Sequence, residues 1–364
     1  MKSQNLDALS RIVDLDKIKA TKNSINEANG LPNECYLNDE YFKIEREKVF
    51  FDNWIVVGVS SSVPEIGDAK PFNLMGIPLL ILRDKNNKIR VFHNVCSHRG
   101  MILLNKECKL KNTIRCPYHS WSYNFNGELI ATPHIGGMNI HEADGFIKSK
   151  SNLKEVPSYV WMDLIFINVN KNKKDFEKSI DPLEKQWSKF ISKEDQKLIR
   201  HAGDFGYFNM EVKSNWKFAI ENYCESYHLP WVHPELNRVS NLKDHYHIED
   251  LTETFSGQGS NKYSQQFDGN KKLSTFPNWP SDLYQNSEYV SLFPNVMLGI
   301  HVDHFYAFWL EPLSNNNTRE HFEMYYVGDE SASSDEYIEI RKKNFAFWQE
   351  VMNEDIAAIE GMQK

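Results

Sequence analysis

Two short pairs of metal-binding residue types constrain this chain more than any other feature: Cys96-Ser97-His98 and Cys116-Pro117-Tyr118-His119, with seventeen residues between them. Two thiolates and two imidazoles suit a two-iron, two-sulfide centre in which one iron takes both cysteines and the other both histidines. A chain holding such a centre moves single electrons, so a destination for those electrons is expected elsewhere in the sequence.

A structural zinc site is the alternative. Zinc sites of that kind favour Cys-rich sets with cysteines two to four apart, whereas here each pair mixes Cys and His. Cys96, His98, Cys116 and His119 are therefore the candidate ligands of a [2Fe-2S] cluster. Gly100 and Pro117 suit two tight loops, the apolar run Leu79–Leu82 leads in, and Trp121, Tyr123 and Phe125 alternate on the way out. From about Trp54 to Val156 the chain resembles Rieske proteins. That resemblance implies a small antiparallel β domain with the ligands on two loops at its tip.

At 364 residues the chain exceeds one typical domain, so two are expected. The net charge of −8 comes from mixed acidic and basic residues, and nothing reads as a nucleic-acid footprint. The run Lys171 to Lys174 reads as a solvated turn. No stretch is long and apolar enough to predict a membrane span, and the first thirty residues have no signal-peptide core. Cys35, Cys108 and Cys224 are scattered outside the cluster set, which predicts a reducing, cytoplasmic setting over a disulfide framework.

Residues 1–53 are expected to form an N-terminal helical segment that packs on the larger domain. Leu6, Leu9, Ile12 and Val13 form an amphipathic stretch, and Asn38 caps a helix running to Phe51. Residues 54–156 read as short strands with turns at Asp84–Asn87 and Asn126-Gly127. Residues 157–364 make the second domain, beginning with Tyr159 to Val169 as one apolar strand, then a helix from Asp175 to Phe190. Tyr289 to Leu313 and Glu320 to Val327 have β character, and a long helix from Ser334 to Ile359 closes the chain. A small β domain inserted before a larger α+β domain accounts for the pattern.

The segment Asn215 to Pro234 carries the second signal. Glu225 and His228 are three apart and are expected on one helix face. Pro230 disfavours helix at Leu229, and a bend there brings His233 back beside His228. Two imidazoles and one carboxylate on one face of non-haem Fe(II) leave positions open for oxygen. Asp355, in Glu354-Asp355 near the end of the last helix, is the candidate third ligand. The competing reading makes the histidines ordinary polar residues near Trp231 and Asp355 one exposed acid among several.

With both motifs in this order, from about Tyr36 onward, the chain resembles the catalytic α subunit of Rieske non-haem iron oxygenases. The resemblance implies an α+β, helix-grip-like catalytic domain with a mainly antiparallel sheet and long helices, and a mononuclear Fe(II) on His228, His233 and Asp355. It places Glu225 and Asn222 as candidate catalytic residues, and Phe293-Pro294-Asn295 in a strand after the iron helix. Two departures stand out. Most family members have Asp where this chain has Glu225, and Glu there resembles the subgroup oxidising quaternary ammonium compounds (carnitine and choline monooxygenases, glycine betaine demethylase). Related chains also continue past Gln363, so a truncated or disordered tail is expected.

No G-x-G-x-x-G follows a strand, so electrons are expected from a separate flavin/iron-sulfur reductase. The family pattern implies a head-to-tail homotrimer in which His119 of one subunit meets Glu225 of the next. The expected chemistry is O2-dependent hydroxylation or N-demethylation of a small quaternary ammonium or betaine. Cation–π contacts suit such a substrate; Trp279, Tyr289, Phe293, Tyr306, Phe308 and Trp309 are available, and His301 and His304 lie in the same β region. Two other readings stay open: hydroxylation of an aromatic ring, and a Rieske electron carrier with no oxygenase activity.

Overall fold

The structure is a computed structural model that describes residues 9–24, 26–171, 175–249, 252–265 and 271–364. Leu6 of the amphipathic stretch and residues 172–174 of the lysine run lie outside the described residues. The chain forms two compact units, Phe51–Lys173 and Met1–Phe50 with Lys174–Lys364.

The smaller unit is antiparallel throughout. Its main sheet runs in the order Cys108–Lys109, Asp68–Leu74, Ile77–Arg83, Ile89–His93, Glu155–Val156. The central strand, Ile77–Arg83, is apolar on both faces because both are covered. At the expected turn, Asp84 Oδ1 accepts from the amides of Asn86 (2.8 Å) and Lys88 (2.9 Å), and Asn87 takes a left-handed φ of 62°. A second sheet joins Ile114–Arg115, Ser122–Tyr123 and Leu129–Ala131.

The expected boundary at 156/157 is corrected. Tyr159 to Val169 is not one strand of the larger unit. It is part of a hairpin, Ser158–Trp161 and Leu164–Ile167, whose second strand pairs with Ile55–Val59 in the smaller unit. Met162 and Asp163 both have positive φ (48° and 70°), the two-residue turn that matches the twist of paired strands.

The larger unit is built on an eight-stranded antiparallel sheet. Its order is Ile199–His201, Asn317–Val327, His304–Ser314, Val296–Ile300, Ser287–Leu292, Phe255–Ser260, His245–Glu249, and Tyr207–Val212 also pairs with Asn317–Val327. One register row crosses it from Gln258 through Tyr289, Gly299 and Tyr306. Residues in one row share a face. Gly299 has a steric reason to lack a side chain: a Cβ there would lie 2.2 Å from the Tyr306 ring. Phe293-Pro294-Asn295, expected within a strand, is the turn between Ser287–Leu292 and Val296–Ile300. Proline ends the ladder there because it has no amide to donate.

Helices Trp216–Tyr223 and Ile338–Met362 belong to the same unit. Ser334 caps the approach to the long helix through the Glu336 amide. Asn38 caps Asp39–Glu45 through two amides, as its residue type favours. Tyr36 stacks on Phe218 at 4.3 Å, and Glu45 meets Lys217 at 2.8 Å in a buried pair. No helix among the described residues is long and apolar enough to cross a membrane.

Candidate functional site

The first candidate site lies in the smaller unit, on two loops with the same hydrogen-bond pattern. Cys96 N donates to Met101 O (2.8 Å) and Gly100 N to Cys96 O (2.9 Å); Cys116 N donates to Trp121 O (2.8 Å) and Ser120 N to Cys116 O (3.1 Å). Gly100 (φ 70°) and Ser120 (φ 58°) close the two loops in the left-handed region. The His98 and His119 rings sit 4.7 Å apart, with Trp121 stacked on His98 at 4.6 Å. Cys96 and Cys116 are buried free thiols, and His119 Nδ1 is buried with no hydrogen-bond partner among the described residues. Burial pushes the Cys96 thiol up, against the Tyr123 hydroxyl and the His98 amide, which pull it down. Buried thiols and an orphaned imidazole nitrogen are what a cluster would satisfy, since coordination supplies the charge that thiolates need.

Tyr123 OH lies 3.2 Å from Cys96 Sγ. A hydrogen bond to a cluster sulfur favours the more negative, reduced state. Tyr123→Phe is therefore expected to lower the cluster potential by about 60 mV, the one-electron equivalent of a tenfold change in equilibrium. Redox titration followed by the visible spectrum checks it; an unchanged potential would show that the phenol does not act on the cluster.

The second candidate site lies in the larger unit. Helix Trp216–Tyr223 stops at Cys224, so Glu225 and His228 are not on one helix face as expected. They sit in the turn before a four-residue helix, Leu229–Val232, in which Pro230 occupies the first turn, where a missing amide costs least. That single turn separates His228 from His233 and sets their rings 5.1 Å apart.

Asp355 projects from the long helix on the face that also carries Trp348, Val351 and Met352. The ligand-type atoms of His228, His233 and Asp355 all lie within 4.8 Å of one another. Asp355 Oδ1 is 2.9 Å from His233 Nε2 and 3.8 Å from His228 Nε2, yet it is buried and makes no hydrogen bond. The outer nitrogens have carboxylates: His228 Nδ1 meets Glu225 Oε1 at 2.5 Å, and His233 Nδ1 meets Glu354 Oε2 at 2.8 Å. An Nδ1–H held by a carboxylate leaves the Nε2 lone pair facing inward, the usual outer arrangement of a metal-binding imidazole. The donor set of two imidazoles and a carboxylate fits non-haem iron.

Electrostatics follow the same contacts. Burial alone would raise the Glu225 carboxyl, but the His228 ring and the Tyr227 and His228 amides outweigh it and hold Glu225 below its usual range. For His233, burial works downward and is overcome by Asp355 and Glu354, so the ring is raised in the metal-free protein. A metal must displace that proton. Fe(II) affinity is thus expected to fall about tenfold per pH unit below the raised His233 value and to level off above it; metal titrations of apoprotein between acid and neutral pH check this. A flat profile would separate His233 from metal binding.

A cavity of about 40 Å³ opens on the three residues, walled by Asn222, Tyr223, Gln258, Tyr289, Tyr306 and Trp348. Asn222 is therefore in place beside them. Gln258 Nε2 donates to the carbonyls of Tyr223 (3.2 Å) and Glu225 (2.8 Å), tying the sheet to the Glu225 turn. Of the aromatics named from sequence, only Tyr289 and Tyr306 line this cavity. Trp279 stacks on Phe190, Trp309 on His321, Phe308 packs on Phe322, and Phe293 is half exposed in its turn. Sequence reasoning missed Tyr223, Trp348, Gln258 and Glu354. The signal for Trp348 was its spacing of seven from Asp355, two helical turns on one face.

Comparison with known proteins agrees with this geometry. Residues 53–153 match the Rieske [2Fe-2S] domain. The chain is 25% identical over 339 residues to the carnitine monooxygenase oxygenase subunit of Acinetobacter pittii, covering 92% of this chain and 84% of that one. It is 27% identical over 229 residues to the glycine betaine monooxygenase oxygenase subunit of Pseudomonas aeruginosa, covering 63% and 49%. Two solved structures share the fold. One is a quaternary ammonium Rieske monooxygenase (TM-score 0.73, 23% identity, 92% and 85% covered). The other is naphthalene 1,2-dioxygenase from Rhodococcus sp. (0.72, 17%, 95% and 85%). Residues 168–364 match the ring-hydroxylating alpha subunit (catalytic domain), and the chain belongs to that family: it is the α subunit of a Rieske non-haem iron oxygenase, with a [2Fe-2S] cluster and a mononuclear iron.

Proposed function

We propose that Cys96, His98, Cys116 and His119 hold the cluster, that His228, His233 and Asp355 hold the iron, and that the substrate is a small quaternary ammonium or betaine. The observation that carries the substrate class is the wall beside the iron ligands: Tyr223, Tyr289, Tyr306 and Trp348, with no lysine or arginine in the lining. Aromatic faces attract a permanent cation by about 0.5–2 kcal/mol. The carnitine and glycine betaine enzymes among the relatives support the same class. The cavity, about 40 Å³, is far smaller than the roughly 300–1,000 Å³ of small-molecule sites, so substrate enters with movement of its pliable member Met352.

Electrons come from a separate reductase. Bound ferrous iron supplies dioxygen activation; the chain supplies position, proton and exclusion of water. One oxygen atom enters a C–H bond next to nitrogen, the other leaves as water, and two electrons and two protons are taken up. The carbinolamine then breaks its C–N bond to give an aldehyde and the dealkylated amine. Asn222 and the aromatic wall orient the reacting carbon, and Glu225 fixes His228.

The assembly we propose is a head-to-tail trimer, with His119 of one subunit meeting Glu225 of the next. Exposed aromatics flank both ends of that contact: Tyr118 beside His119, and Tyr227 and Trp231 beside Glu225. Aromatic residues are enriched at interfaces. Sedimentation at working concentration tests the trimer, and a monomer with full activity would overturn it.

The experiment for substrate class is a panel of choline, betaines, carnitine and benzoates with reduced, iron-loaded protein. Aldehyde and dealkylated amine from a trimethylammonium compound are expected. A diol or phenol from an aromatic acid would instead favour the ring-hydroxylating reading, which the same flat aromatic walls accommodate.

A further inference from the structure

His301 and His304 bracket the turn between strands Val296–Ile300 and His304–Ser314, and their rings stack at 4.1 Å. Their hydrogen bonding differs completely. His304 Nδ1 donates to Asp303 Oδ1 (2.6 Å), and its Nε2 accepts from Trp348 Nε1 (3.2 Å). His301 is buried, 1% exposed, and neither of its ring nitrogens has a hydrogen-bond partner among the described residues. Tyr263 packs on His301 at 4.4 Å, and its buried hydroxyl is also without a hydrogen-bond partner among the described residues.

These three polar atoms lie one ring beyond the iron-side cavity. Trp348, Tyr289 and Tyr306 all line that cavity, and their rings stand 5.3, 5.5 and 6.2 Å from the His301 ring. Buried polar atoms are nearly always paired, and each exception calls for a reason. Here three such atoms, on two residues in ring contact, lie together behind the substrate cavity, next to a histidine whose two bonds are complete. Burial lowers His301 far below its ordinary pKa, so the ring is neutral and offers one donor and one acceptor.

We propose that His301 and Tyr263 are the specificity-determining pair that receives an oxygen atom at the end of the substrate remote from the reacting carbon. The inference rests on the site proposed above and deepens it. A carboxylate oxygen accepts from both Tyr263 O–H and His301 N–H. A hydroxyl accepts from Tyr263 and donates to the bare His301 nitrogen. Reaching them requires Tyr289, Tyr306 or Trp348, the rings between His301 and the cavity, to move as substrate enters. A site built to bond such an oxygen rejects analogues lacking it, because its own buried groups are then left unpaired.

The test uses metal-loaded, chemically reduced holoenzyme and its His301→Phe and Tyr263→Phe variants. Three trimethylammonium substrates are compared: γ-butyrobetaine (carboxylate), choline (hydroxyl) and propyltrimethylammonium (no oxygen). Each variant is expected to lose at least about tenfold more in kcat/KM on the better oxygen-bearing substrate than on the oxygen-free one, mainly through KM. Which of the first two suffers identifies the oxygen's source. The substrate-free variants are expected to melt no lower than the parent, because an unpaired polar group has been exchanged for an apolar ring.

Equal losses on all three substrates, or a clearly lowered Tm, would overturn the proposal and assign the pair to packing or to a structural water. If the parent oxidises none of the three, the substrate class has failed instead. Benzoate against toluene then decides the inference by the same ratio, with the melting arm deciding it if neither ring reacts.

Discussion

Asp355→Ala is expected to empty the mononuclear iron site while leaving the cluster intact. Iron content should fall from about three to about two atoms per chain, with the visible spectrum of the cluster unchanged. The reason is local. Asp355 contributes the carboxylate that faces both His228 and His233, its Oδ1 2.9 Å from His233 Nε2. Removing a buried charge's partner costs about 3–5 kcal/mol, which is roughly a hundredfold to a few thousandfold in metal affinity. Oxygenase turnover should vanish with the metal. Alanine is the best helix former, so helix Ile338–Met362 and the melting temperature should be little disturbed. Asp355→Asn keeps the shape and loses the charge, and should bind iron with intermediate affinity. Metal analysis settles the matter: a variant that retains about three irons would move the third ligand away from Asp355.

Glu225→Gln separates electron delivery from metal binding. The carboxylate meets His228 Nδ1 at 2.5 Å and is held further by the Tyr227 amide. Glutamine keeps the length and an acceptor oxygen but loses the charge. Replacing a metal-bound histidine's outer carboxylate typically costs 10–100-fold. Here the same group is proposed to face the electron donor, so turnover is expected to fall by about 100-fold or more with iron content unchanged. Single-turnover measurements should locate the loss: the cluster still reduces, but its oxidation on adding substrate and O2 slows. Glu225→Asp keeps the charge without the reach and should retain more activity than the amide. Full coupled turnover in the glutamine variant would remove Glu225 from the electron route.

The parts legible in the sequence were those whose chemistry is carried by residue type at short spacing. The Cys96/His98 and Cys116/His119 pairs name their cofactor because few centres mix thiolate and imidazole in that way. The turns at Asp84–Asn87 and Gly127 were legible because they rest on left-handed φ, and caps such as Asn38 and Ser334 because they rest on side chains that reach nearby amides. His228 and His233 were legible as a pair, but not their route: the helix ends at Cys224, and a one-turn helix then carries the chain between them. The strand expected from Tyr159 to Val169 failed for a similar reason. An apolar run does not say where it folds back, and Met162-Asp163 reverses it without a glycine.

The chain by itself showed the paired Cys and His of the cluster motif, the His228/His233 pair and the short strands and turns of the smaller unit, because these rest on donor atoms, periodicity and turn residues within a few positions of one another; the third ligand and the antiparallel character of both units came from resemblance to the family. Tertiary structure alone decided which aromatics face His228, His233 and Asp355, that Glu354 stands behind His233, and that His304 is fully bonded while its neighbour His301 is not. Those facts depend on which face of a strand or helix meets which partner, 44 residues away for His304 and Trp348 and 121 for His233 and Glu354. Cross-sheet register and helix docking set that meeting, and no local pattern encodes it.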